Sequence, residues 1–230
     1  MLTIFWRTIR DRKLSLLIYC LAGILLLWMY IGFFPSIRDQ AEKFKEVFEA
    51  YPESMMKAFN IEELNFDTLE KFLTVEQFSI IWPIMVIFLV VSIAGTALSG
   101  EVEKGTAEIL LSRPVSRLKI FFSRYLAGLF ILLVFTVSSV FFVVPLARLS
   151  KVDFVFENYV TIAVLGFLFG WAIFSMGMMF SAIFSERSKT YMVTGGILLV
   201  MYVLKIAASL KESLDKLKYF FFIITIIIKL

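Results

Sequence analysis

Few of the side chains that usually do chemistry are present in this sequence. It has no histidine and one cysteine, Cys20, which falls inside an apolar run. One cysteine closes no internal disulfide, and without histidine neither a Cys/His zinc site nor a histidine-based triad can be built. A thiol in apolar surroundings reads as an inert packing group. Any catalysis would rest on carboxylates, Lys, Tyr or Ser, and no clustered set of these stands out within an apolar run. No G-x-x-x-x-G-K-[ST] string occurs, which rules out ATP hydrolysis in the P-loop manner. The remaining candidate chemistry is charge. Ser99–Lys119, SGEVEKGTAEILLSRPVSRLK, is the most charged short interval between two long apolar runs. It carries Glu101, Glu103, Lys104, Glu108, Arg113, Arg117 and Lys119. Two readings are open: a solvated hairpin between transmembrane helices, or a docking element for a cytoplasmic protein.

Composition indicates the elements that position this stretch. Of 230 residues, 60% are hydrophobic and only 18% charged, well apart from the balance of soluble domains. The excess lies in long runs, so the chain reads as a polytopic α-helical membrane protein. A net charge of +4 without a basic, aromatic-interleaved stripe gives no support for nucleic-acid binding.

In chain order, Leu2, Phe5, Trp6 and Ile9 alternate with Arg7 and Arg10 at helical spacing, which suits an interfacial helix over residues 1–13. Leu14–Phe34 is long enough to span and carries no cleavage pattern, and Pro35 is expected to end it. Residues 36–76 are net acidic and form a small extracytoplasmic insert. Its expected pieces are an amphipathic helix along Ile37, Ala41, Phe44, Phe48 and Tyr51, a capped start at Asn60 with Glu63, and a helical run Thr68–Phe78 with Leu69, Phe72 and Leu73 on one side. Phe78–Leu98 is the second span, with Pro83 in its first turns. Ile120–Leu146 is the third, with Arg124 placed to snorkel to the interface. Asn158–Phe184 is the fourth, with Gly166, Gly170 and Gly177 as close-packing positions. Tyr191 to about Ala208 is the fifth. Tyr219–Leu230 is apolar, but its dozen or so residues reach roughly 18 Å against a hydrocarbon core of about 30 Å. The expected fold is therefore all-α: a polytopic transmembrane helix bundle of five full spans plus a short sixth apolar segment, in one domain over residues 1–230.

Within the organising stretch, Gly105 lets the backbone turn, Thr106 can cap a short helix Ala107–Ser112 with Glu108 at its positive end, Pro114 stops it, and Ser116 can cap the next span. Glu101, Glu103, Gly105-Thr106, Glu108, Leu110-Leu111-Ser112, Pro114-Val115 and Ser116-Arg117 together resemble the cytoplasmic signature of ABC-2-type transporter permeases, the membrane subunits of exporter-class ABC systems. The resemblance implies a cytoplasmic ATPase subunit as partner, carrying ATP and Mg, with no cofactor in this chain. It also implies a second permease chain, as homodimer or heterodimer, and a coupling segment over 99–119. Its ATPase contacts would be Glu101, Glu103, Gly105, Thr106, Glu108, Pro114, Ser116 and Arg117. The resembled family closes with a full sixth span and a basic tail, so the short last segment suggests a shortened end or a half-span completed by a partner.

Short, basic loops on one side and the long acidic insert on the other place the N-terminus in the cytoplasm, and the resemblance implies a cell (inner) membrane. The leading function is the permease of an ATP-driven transporter. A non-transporting anchor or assembly subunit, a secondary transporter and an intramembrane enzyme are the alternatives. A secondary transporter would need ionisable groups deep in its spans, and these runs carry almost none.

Overall fold

The structure, a computed structural model, describes residues 2–38, 40, 68–108, 112 and 115–210. Among them every regular element is helical. Four stretches are long and apolar enough to cross a membrane: Leu2–Arg38, Leu69–Ala97, Arg117–Leu149 and Phe156–Ile183. The elements are α1 (Leu2–Arg38), α2 (Leu69–Leu73), a π segment (Thr74–Ile81), α3 (Trp82–Ala97), α4 (Ser99–Glu103), α5 (Arg117–Phe141), α6 (Val143–Leu149), α7 (Phe156–Ile183) and α8 (Arg187–Leu210). Helix α8 covers the run expected to be the fifth span.

Three expectations change. The expected interfacial helix is not separate from the first span: from Leu2 the chain is one unbroken helix of 37 residues, and Pro35 sits inside it rather than ending it. Only the last turn lies beyond that proline, so few ladder bonds are lost. The second span begins earlier than Phe78, because α2, the π segment and α3 run on without a break. Thr68 caps the start, accepting the Lys71 N–H, and Leu69, Phe72 and Leu73 are buried as the spacing predicts. Pro83 therefore lies within a long run. Its ring crowds the carbonyl four residues back and it donates no hydrogen bond. The π segment immediately before it widens the helix, with the Trp82 N–H reaching Gln77 O. The third span extends to Leu149 but is interrupted at Phe142, in the turn just before Pro145, which has no N–H to give to the ladder. Of the expected helix along Ile37, Ala41, Phe44, Phe48 and Tyr51, Ile37 falls in the last turn of α1 and the other four positions lie outside the described residues, as do the expected cap at Asn60 with Glu63 and the apolar segment Tyr219–Leu230.

Helices α3, α5 and α7 form the centre; α1 packs along α5, and α8 leans on α3 and α7. With lipid on the outside, close packing and interhelical hydrogen bonds supply the association energy. The Trp82 indole N–H donates to Ser139 Oγ at 2.8 Å, and its ring stacks on Phe135 at 6.0 Å. Gly166 makes room for that ring: a Cβ there would lie 2.4 Å from Trp82. Gly170 admits Leu132 and Val86, and Gly177 meets Ala94, so all three glycines act as the expected close-packing positions.

Candidate functional site

The charged stretch begins where the second span breaks. Leu98, at φ −121° and ψ −57°, interrupts the helix between α3 and α4. The break sits in a knot of hydroxyls. The N–H groups of Leu98 and Ser99 both donate to Ser181 Oγ, at 3.2 and 3.1 Å. Ser99 Oγ donates to Gly95 O at 2.7 Å, and Thr190 Oγ1 donates to Ser99 Oγ at 3.1 Å. Ser99, Ser181 and Thr190 are all buried. The knot joins α4 to the end of α7 and the first turn of α8. Nearby, the Tyr191 ring lies on Gly95, where a Cβ would come within 2.1 Å of it.

Helix α4 closes as a Schellman turn. Gly105 takes φ +69°, its N–H donates to Val102 O at 3.0 Å, and the Thr106 N–H reaches Glu101 O at 3.0 Å. The expected turn at Gly105 is thus present, and it is left-handed, where glycine carries no steric penalty. Thr106 behaves otherwise than expected. Its hydroxyl turns back and donates to the Glu101 carboxylate at 2.6 Å instead of capping the turn that begins at Ala107. Ala107 and Glu108 are helical, and the Ser112 N–H returns to Glu108 O at 2.9 Å. Ile109, Leu110, Leu111, Arg113 and Pro114 lie outside the described residues. Ser116 caps α5 as its spacing predicts, accepting the Lys119 N–H at 3.4 Å.

The two leading carboxylates are both engaged within the chain. Glu101 Oε1 lies 3.2 Å from the Arg124 guanidinium. Arg124 is only 8% exposed, so it does not snorkel to the interface; it turns inward and pairs. Burial pushes the Glu101 carboxyl up, but the Thr106 hydroxyl and Arg124 more than offset this and hold it below the ordinary carboxylate value. Glu103 grips the start of α8. Its Oε2 accepts from Arg187 Nε at 2.9 Å and from the Arg187 backbone N–H at 2.9 Å, and its Oε1 accepts from the guanidinium at 3.2 Å. A carboxylate at a helix N-terminus also meets the positive end of the helix dipole. The Arg187 side-chain and backbone hydrogen bonds hold the Glu103 carboxyl below its usual range.

A further cation binds the first helix to the second span. The Arg12 guanidinium donates to Ser92 Oγ, Ser92 O and Thr96 Oγ1. The charged end of the bundle therefore links all the long helices. Helix α4 is fastened to α5 through Glu101–Arg124, to α7 through Ser181, and to α8 through Glu103–Arg187 and Thr190; α1 is hooked to α3 through Arg12.

The eight residues expected to face a partner thus divide. Glu101, Glu103, Gly105 and Thr106 are occupied in holding α4, and Ser116 is occupied as a cap. Pro114 is not described. Glu108 and Arg117 are exposed and make no ion pair or side-chain hydrogen bond among the described residues; the same holds for Lys104 and Lys119 beside them. Sequence reasoning missed Arg124, Arg187, Ser181, Thr190 and Arg12 as members of the site. For Arg124 a signal existed: a cation several residues into an apolar run needs a partner, and the nearest acidic cluster was one loop away.

The chain is similar, over residues 2–223, to a family model described as ABC-2 family transporter protein. Neither a curated protein nor a solved structure matches it.

Proposed function

The chain belongs to the ABC-2 transporter family, and on that premise we propose that it is the membrane-spanning permease of an ABC transporter, driven by a separate ATPase subunit. Membrane proteins of this family work with ATPase subunits in ABC transporters. In this reading the N-terminus is cytoplasmic, α8 is the fifth span, and the permease acts with a second permease chain, identical or related, in a cell membrane. ATP and Mg belong to the ATPase partner.

One observation carries the reading: α4 is tied by separate contacts to α5, α7 and α8, so a force on this short helix reaches three long helices at once. Charged groups on the free side of the stretch, Glu108 and Arg117 with Lys104 and Lys119, are available to a docking protein. Such pairs set register and partner choice more than raw affinity. Glu101 and Glu103 serve instead as the internal transmission. Substrate passes from one side to the other when the three helices tilt together.

The test is capture of an ATPase subunit from solubilised membranes by the original chain and by the double charge reversal Glu108→Lys with Arg117→Glu. The reversal is expected to abolish capture without unfolding the chain. Glu103→Lys is a different probe, because it first breaks the Arg187 contact; it should leave capture in place and lower ATP-dependent transport. An ATPase that still binds the double reversal would overturn the assignment of contacts. Capture without ATP-dependent export from vesicles would make the chain an anchor.

A further inference from the structure

The opposite end of the bundle holds a cavity of about 250 Å³ between the last turns of α1 and the π segment, lined among others by Met29, Tyr30, Phe33, Ile37, Phe72 and Glu76. Its lining is largely apolar and aromatic, and Glu76 is its one ionisable carboxylate. Glu76 is half-buried and makes no ion pair or side-chain hydrogen bond among the described residues. It lies inside a stretch long and apolar enough to cross a membrane. A carboxylate there without a partner is costly, and such positions mark ligand or ion sites. The π segment sets its place: Gln77 and Phe78 turn into the core, while Glu76 faces the cavity and α1. Single π turns inside helices recur at functional sites.

We propose that this cavity binds an amphiphilic organic cation of the alkylammonium class, with the head against the Glu76 carboxylate and the rings of Tyr30 and Phe33. The chemistry selects that class. A neutral amphiphile leaves the carboxylate unpaired, and an anion is repelled by it. Small hard metal ions want six or more oxygen ligands, whereas the charged oxygens here come from one side chain. Aromatic faces attract ammonium groups, and more so where water is excluded. Tyr30 stands edge-on to Phe72 at 6.0 Å, which fixes the ring at the wall. Met29 is 40% exposed and Phe33 59%, so the cavity opens on the flank of the bundle. An alkyl tail can then remain in the lipid while the head enters sideways. The site is separate from the charged end and does not depend on the ATPase reading, since it concerns binding by this chain alone.

The experiment uses the full chain in phosphatidylcholine nanodiscs, without any ATPase, and tritiated decyltrimethylammonium as the probe. Saturable binding is expected, with Glu76→Gln weakening it about tenfold and Tyr30→Leu by about threefold or more, while Tyr30→Phe keeps the ring face and the affinity. The uncharged isostere 2,2-dimethyldodecane should compete poorly. Equal binding by the folded Glu76→Gln chain overturns the proposal, and so does equal competition by the isostere, which would mark a merely apolar groove. If Glu76→Gln does not fold, the contrast between Tyr30→Leu and Tyr30→Phe decides: equal affinity in those two removes the aromatic contact and the proposal with it.

Discussion

The two ends of this bundle solve the problem of polar groups in opposite ways. At the Glu101 end the charges are mostly paired: half-buried Glu101 with Arg124 and Thr106, exposed Glu103 with Arg187, and Arg12 with Ser92 and Thr96, while Arg124 Nε has no partner among the described residues. At the Glu70 end, the contacts are mostly rings, such as Phe34 on Phe72 at 5.6 Å and Phe154 on Tyr159 at 6.3 Å. Several buried polar groups there go without: both amide atoms of Gln77 and the Tyr159 hydroxyl have no hydrogen-bond partner among the described residues. The Glu70 carboxylate, which accepts the Val155 N–H ahead of α7, and the Trp82 indole, which donates to Ser139 Oγ, are paired. Directional bonds fix one geometry, whereas ring contacts tolerate sliding. The Glu101 end is therefore built to move as a unit, and the Glu70 end to yield.

Breaking the paired end should have the largest effect. Glu101→Gln leaves the Arg124 guanidinium nearly buried beside a neutral group. Removing one partner of a buried pair costs about 3–5 kcal/mol, and the partial exposure of Glu101 reduces this to about 2–3 kcal/mol of thermal or denaturant stability. The pair also carries a pH signature. Glu101 and Glu103 both have carboxyl values lowered in the fold. Their stabilisation is thus complete above the ordinary carboxylate value and is lost as pH falls through the lower folded values. Melting temperature should drop on acidification below about pH 4.5, the unfolded reference, and the Glu101→Gln, Glu103→Gln double variant should show a flatter acid limb. A smaller effect is expected from Thr106→Val, which removes one charge-assisted hydrogen bond: about 1–2 kcal/mol, checked by the same melt. At the other end the sign reverses. Gln77→Leu exchanges an unsatisfied amide for an apolar group of similar size, and should be neutral or stabilising by up to about 1 kcal/mol. A Gln77→Leu chain less stable by more than that would show that the amide has a partner and would erase the contrast between the ends.

The features legible in the sequence were local. The turn at Gly105, the cap at Ser116, the buried face of Leu69, Phe72 and Leu73 and the small-residue contacts at Gly166, Gly170 and Gly177 each depend on residues within a turn or two, or on side-chain size alone. Pairing at a distance was hidden. Glu103 and Arg187 are 84 positions apart, and Ser99 and Ser181 82. No periodicity brings them together; that requires knowing which helices are neighbours and at what height. The reading of Pro35 as a helix end failed, because a proline in a last turn costs few ladder bonds. Pro83 does open α3, in its first turn as expected, but the π segment before it carries the helix on without a break. The charge of the stretch was legible, but the division of its residues into inward and outward members was invisible without the Schellman turn that aims Thr106 at Glu101.

The break at Leu98 has a mechanical consequence. A single residue separates α3 from α4, and one hydroxyl, Ser181 Oγ, receives the N–H groups of that residue, Leu98, and of Ser99, the first residue of α4. The joint is thereby locked, and the two helices form a bent crank with its fulcrum at Leu98. The short arm is the five residues of α4 and the long arm the sixteen of α3, about 7.5 Å and about 24 Å at the helical rise. The gear ratio is about one to three, so a displacement of about one ångström applied beside Glu103 arrives roughly threefold larger at the far end of α3, where Trp82 meets the ring contacts that can give.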